Sequence, residues 1–178
     1  MQTEKSLDAA VAEVFTLLKK TQQVLVAAES CTAGLIAATL ARMPGMSAYL
    51  AGSFVVYQVD SKVAWLGVPP ELIREHDVVS AEVAECMASQ ALKKTIHATA
   101  AISITGHLGP NAPRSLDGVA WIGWAARPDF VRSQKLILDP ETLEKRQPEH
   151  RFLIRHQRQE NAVLQSLGFL RDRLAEMA

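Results

Sequence analysis

The chain has 178 residues, 48% of them hydrophobic, with 19 basic and 19 acidic side chains. That length suits one domain, 1–178, with a sizeable core. The balanced charge excludes a broad surface for neutralising nucleic-acid phosphates. No apolar stretch reaches the ~18–20 residues that cross a bilayer, and Met1-Gln2-Thr3-Glu4-Lys5 lacks a signal-peptide pattern. A cytoplasmic protein with no membrane partner is expected.

Leu7, Val11, Val14 and Leu18 share one helical stripe, which predicts an amphipathic helix over 7–20. Val24 to Ala28 is a short apolar run suited to a covered strand. Leu35 to Leu40 has helix-forming composition, and Met43-Pro44-Gly45 should end that helix. Between strand and helix stands Ala28-Glu29-Ser30-Cys31-Thr32-Ala33-Gly34, which puts a hydroxyl near a helix N-terminus. Two readings fit Ser30 there: a helix cap, or a nucleophile whose developing charge the dipole favours.

Tyr49 to Tyr57 reads as a strand with a bulge at Gly52. A short helix is expected from Asp60 to Leu66 with Gly67 as its stop, and a second from Pro69-Pro70 through Ile73. Ser80 is the expected cap of a longer helix ending near Lys93-Lys94. A strand follows at Ala98 to Ile104, then an irregular loop from Thr105 to Asp117 containing Gly106, Gly109, Pro110, Asn111 and Pro113. Gly118 to Ala126 and Phe130 to Leu138 predict an antiparallel hairpin around Arg127-Pro128-Asp129. Asp139 to Arg151 is charged and expected to be exposed, and a last helix from about Phe152 carries Val163, Leu167, Leu170 and Leu174. The order predicts an α/β fold, a three-layer α-β-α sandwich whose mixed sheet ends in an antiparallel hairpin.

Three polar loci fall at predicted strand ends, where ligands bind in open α/β sheets: Ser30, the pair Tyr57 and Lys62, and the loop from Thr105. A lysine of lowered pKa serves as the base for a serine in Ser-Lys hydrolases, and Tyr57 would orient it or relay a proton. Cys31 is the competing nucleophile, but no histidine is paired with it in the sequence. Cys31 and Cys86 have no metal-ligand spacing.

Several ordered motifs resemble the CinA carboxy-terminal domain family. Ala28 to Gly34 stands against A-E-S-C-T-G-G, Pro44 to Tyr49 against P-G-S-S-A-Y/W, and Phe54 to Lys62 against F-V-T-Y-S-N-E-A-K. Leu66-Gly67-Val68, His76 to Ser80, Thr105-Gly106 and Gly109-Pro110 continue the match, and Arg151 to Arg155 stands against D-R-x-x-V-R.

The resemblance implies an amidohydrolase converting nicotinamide mononucleotide to nicotinate mononucleotide and ammonia, with no metal or other cofactor, in a homo-oligomer. Catalytic roles would fall to Ser30, Tyr57 and Lys62. Backbone donors around Cys31, Thr32, Ala33 and Gly34 would meet the oxyanion. Thr105, Gly106, His107 and Gly109 would approach the nucleotide, and Arg151 or Arg155 would meet its phosphate unless they form an exposed helix face. The family's larger members carry a further amino-terminal domain, for which these residues leave no room.

The chain departs from the family pattern at Ala33, which stands for glycine, and at Val59, which stands for asparagine. The loop is also altered, with Leu108 and Ala112 in place of small residues and His107 newly present, as a ligand contact, a proton carrier or an exposed side chain. Bulk there is expected to narrow the pocket. Two other readings follow from those changes: a catalytically silent relative that binds a nucleotide or protein partner, and an amidase of altered specificity.

Overall fold

The computed structural model describes residues 2–109, 112, 113, 115–138 and 151–178. Helix α1 spans Gln2–Thr21, and strand β1, Leu25–Glu29, leads through a turn to α2, Leu35–Leu40. Strand β2, Leu50–Val55, is followed by α3, Val59–Ser61, which widens into a π-helical turn over Lys62–Leu66. Then come α4, Pro70–His76; α5, Ala81–Lys94; β3, Ala100–His107; the hairpin β4, Val119–Ala126, with β5, Phe130–Ile137; and α6, Arg151–Ala175. Asn111 and the segment 139–150, expected to be exposed, lie outside the described residues, as does the loop's Pro110.

The five strands lie in the order β2-β1-β3-β4-β5. β1 runs parallel to both neighbours, while β3, β4 and β5 alternate in direction. Alternate strand residues face opposite layers. Leu25, Ala27, Ile102, Ile104, Ile122 and Trp124 join the stripe of α1 and the apolar rows of α2 and α6 in one core. Val26, Ala28, Ala101 and Ala125 join Val83, Met87 and Ala91 of α5 in the other. The mixed sheet is therefore sandwiched between two helical layers, as the order of elements predicts. Helix α5 comes so near the sheet that a Cβ on Gly123 would lie 2.2 Å from the Ala84 carbonyl oxygen.

Local signals are realised in detail. Ser80 Oγ accepts from the Val83 N–H at 3.3 Å. Gly67 ends the π turn at φ 85°. The register between β1 and β2 slips by one residue, with Leu25 opposite Leu50 but Val26 opposite Gly52. Among the described residues, no helix is long and apolar enough to cross a membrane.

Several boundaries differ from the sequence-based expectation, with α1 beginning at Gln2 and β2 stopping at Val55 short of Tyr57, and the one that bears most on the site follows β3. Thr105, Gly106 and His107 are the last residues of β3, paired with Trp121, Ala120 and Val119, and not the start of a loop. The partner strand supplies the pairing that local composition does not foretell, and Gly106 suits it because a Cβ would meet Ala120 Cβ at 2.5 Å.

Candidate active site

β1 feeds β2 through α2 on one face of the sheet, and β2 feeds β3 through α5 on the other. The carboxyl end of β1 is thus a topological switch point, where a crevice opens. Ser30 stands there, 6% exposed, its N–H donating to the Ile104 carbonyl at 3.0 Å. Val26 and Ala28 face α5, so the period of two sends Ser30 toward the same layer. From that side comes Lys62, 1% exposed, the first residue of the π turn.

Lys62 Nζ lies 2.8 Å from Ser30 Oγ, 2.9 Å from the Val56 carbonyl oxygen and 3.4 Å from that of Tyr57. Burial pushes the amine down from 10.5 to about 8, with a smaller opposing influence from Cys31. A neutral amine has two N–H donors and one lone pair. Directing the donors at the two carbonyls leaves the lone pair for the Ser30 hydroxyl.

The Tyr57 side chain takes another course. Its ring is 52% exposed, and its phenol oxygen accepts a short hydrogen bond from Arg155 Nη2. Tyr57 therefore touches Lys62 through its main chain, while Arg155 Nη1 donates to the Gly109 carbonyl at 2.7 Å. Arg155 so bridges two rims of a cavity of about 300 Å³, at the lower end of the ~300–1,000 Å³ usual for small-molecule sites. Ser30, Lys62, Thr105, Gly106, His107 and Gly109 border the same space. Leu108 borders it too, yet it is 1% exposed and belongs to the core, while Ala112 and Pro113 line the cavity. The Arg151 side chain lies outside the described residues.

Not all of the turn after Ser30 faces the cavity. Thr32, Ala33 and Gly34 do not line it. Helix α2 begins only at Leu35, and its N-terminal N–H groups are taken by a residue that the sequence reading passed over, Glu29. The Glu29 carboxylate, with no exposed surface, accepts from the N–H groups of Gly34, Ile36 and Ala37, each at 3.0 Å. Thr32 Oγ1 at 2.7 Å and Ser53 Oγ at 3.1 Å also donate to it. The dipole of α2 is spent on Glu29, and Ser30 is not its cap. Ala33 donates its N–H to the Ser30 carbonyl at 3.0 Å. Among the described residues, the N–H groups of Cys31 and Thr32 are those in this turn that meet no backbone or carboxylate oxygen, the Cys31 N–H facing its own thiol. Of the backbone donors expected across Cys31 to Gly34, those of Ala33 and Gly34 are engaged within the turn. A charged residue ending an apolar strand was the available signal for Glu29.

Ala33 sits at φ 53°, a left-handed conformation that glycine adopts freely and that costs alanine ~1 kcal/mol. The family's glycine at this position has its reason in that angle.

Cys31 is 3% exposed, and burial pushes its thiol up to about 12. Burial therefore keeps the thiol protonated at neutral pH, which disfavours it as a nucleophile. An alkylating reagent should leave Cys31 unmodified in the native protein and modify it after denaturation, as peptide mass spectrometry would show. Native alkylation of Cys31 would contradict this assignment.

Among the described residues, no group of three or more His, Cys, Asp or Glu side chains comes together to hold a metal ion. Among the described residues, none of those bordering the cavity is acidic, and no carboxylate forms an ion pair with Arg155. The cavity wall carries positive charge without a described counter-charge.

The model of the CinA C-terminal domain matches residues 7–172. The chain belongs to the CinA C-terminal domain family. It is 43% identical over 127 residues to a Streptococcus thermophilus protein provisionally named competence-damage inducible, covering 71% of this chain and 30% of that one. It is 39% identical over 115 residues to a CinA-like protein of Myxococcus xanthus, covering 65% and 27%. The chain thus spans about 30% of the length of the curated relatives it matches. Among solved structures, the competence/damage inducible protein CihA of Agrobacterium tumefaciens superposes with a TM-score of 0.80 at 26% identity, over 93% of both chains. Competence damage-inducible protein A of Klebsiella pneumoniae shares the fold, with a TM-score of 0.81 at 24% identity over 97% of both.

Proposed function

We propose that this CinA-family chain is a serine amidohydrolase that converts nicotinamide mononucleotide to nicotinate mononucleotide and ammonia. The observation that carries the reading is the buried 2.8 Å contact between Lys62 Nζ and Ser30 Oγ, with the amine held near pKa 8. A lysine used as a base needs such an environment, since an ordinary amine stays protonated at neutral pH.

In this reading Lys62 takes the Ser30 proton as Oγ attacks the carboxamide carbon. The N–H groups of Cys31 and Thr32 receive the negative charge on the former carbonyl oxygen. Collapse of the tetrahedral intermediate breaks the C–N bond, and the proton held by Lys62 passes to the departing nitrogen, which leaves as ammonia. Water, deprotonated by Lys62, then cleaves the Ser30 ester and releases the carboxylate. Arg155, cationic and without a described carboxylate partner, meets the phosphate. Tyr57 holds Lys62 through its carbonyl and holds Arg155 through its phenol.

The test is ammonia release from nicotinamide mononucleotide by purified protein beside a Ser30→Ala control. The expected result is one ammonia per nicotinate mononucleotide formed by the natural chain and none by the control. Release at the same rate from both, or from neither, overturns the reading.

A further inference from the structure

β3 runs three residues beyond Ile104, and this extension carries a histidine into the cavity wall. Its side-chain direction follows from the register. Ala101 and Ser103 face α5, Ser103 Oγ donating to the Ala84 carbonyl. Thr105 continues that face, its Oγ1 donating to the Val78 carbonyl at 2.8 Å, and His107 is the next residue on it.

The same register gives the distance from the reacting serine. Glu29 pairs with Ile104 in the parallel ladder, so Ser30 lies level with Thr105. His107 is two residues further along, ~6.6 Å outward at ~3.3 Å per residue. Lys62 already holds the Ser30 hydroxyl at 2.8 Å, and the offset along the strand places His107 toward the part of a ligand that extends away from the scissile amide. At this outer level the cavity also presents Arg155, hydrogen-bonded to the Gly109 carbonyl. Thr105 has its hydroxyl proton engaged, whereas the His107 imidazole, half-buried, has no hydrogen-bond partner among the described residues. A neutral imidazole offers one donor and one acceptor to a ligand hydroxyl, or its donor to a phosphate oxygen.

We infer that His107 is a specificity-determining residue that hydrogen-bonds the ribose-phosphate arm of the nucleotide and takes no part in proton transfer at Ser30. The inference rests on the proposed substrate. It makes His107 and Arg155 a two-point clamp on the remote arm, with the amide left to the Ser30 end.

Binding separates this inference from the activity. In the Ser30→Ala background, where no turnover intervenes, the affinities of nicotinamide mononucleotide, nicotinamide riboside and nicotinamide are measured by calorimetry with and without His107→Ala. Loss of one ligand hydrogen bond should weaken the mononucleotide roughly tenfold and leave nicotinamide unchanged, and His107→Gln should recover most of the loss. A riboside weakened equally assigns the contact to a sugar hydroxyl; an unaffected riboside assigns it to the phosphate. Equal affinity of the mononucleotide for both proteins overturns the role of His107 alone. Equal weakening of nicotinamide also overturns it, by placing the imidazole at the reacting end. If the Ser30→Ala protein binds no mononucleotide, the substrate reading fails and this inference with it.

Discussion

Lys62→Met should lower the rate of amide hydrolysis roughly 10³-fold while the protein stays folded, because it removes the general base and leaves an apolar chain of similar length in its place. The pH profile of the natural chain follows from the same amine. Only the neutral form accepts the Ser30 proton, so kcat/KM for nicotinamide mononucleotide should rise with pH and level off above about 8. Stability carries the same signature. The folded amine titrates near 8 and the unfolded one near 10.5, so between those values the unfolded chain binds more protons and stability increases with pH. The gain through that window is about 3 kcal/mol, at 1.36 kcal/mol per pKa unit. Denaturant titrations at both ends of the window should show it in the natural chain and not in Lys62→Met. A flat difference between the two proteins would mean that Lys62 is not desolvated, and would remove the basis for its role as a base.

The second large effect is expected at Glu29. Glu29→Ala removes a carboxylate with no exposed surface and strands three backbone N–H groups and two hydroxyls around it. The expected loss is about 4 kcal/mol, the range seen when one side of a buried charged network is removed. For a domain of this size that lowers Tm by roughly 8–16 °C. Glu29→Gln keeps the shape and one acceptor, so it should fall between the two. Activity should drop with both, since the turn that presents Ser30 is wrapped around this carboxylate. A Glu29→Ala protein with unchanged Tm would show that water satisfies these donors as well as the carboxylate does.

The parts of this fold legible in the sequence are those fixed by local chemistry. The stripe of Leu7, Val11, Val14 and Leu18, the Ser80 cap and the stop at Gly67 each follow from neighbours a few residues away. The extension of β3 through His107 does not, because the pairing partners Val119, Ala120 and Trp121 lie beyond an irregular loop. The site divides in the same way. Ser30 and Lys62 were found from their residue types and motif, and the cavity holds both. Glu29 was missed because a carboxylate between an apolar strand and a turn reads as surface until the helix N-terminus it serves is in place. Residue type suggests that Tyr57 orients Lys62 or relays a proton to it, whereas the contact runs through its carbonyl and the phenol meets Arg155, 98 residues away. No spacing rule reaches that far.

Helix α1 packs on α6, sharing one core through Leu7, Val14, Val163 and Leu170, and Arg155 of that same α6 spans the rim between Tyr57 and Gly109. Translation therefore delivers the alcohol and the amine well before the guanidinium that frames their opening. In the proposed reading, a chain lacking α6 would keep Ser30 and Lys62 but lose both the seat of α1 and the cation that frames the cavity.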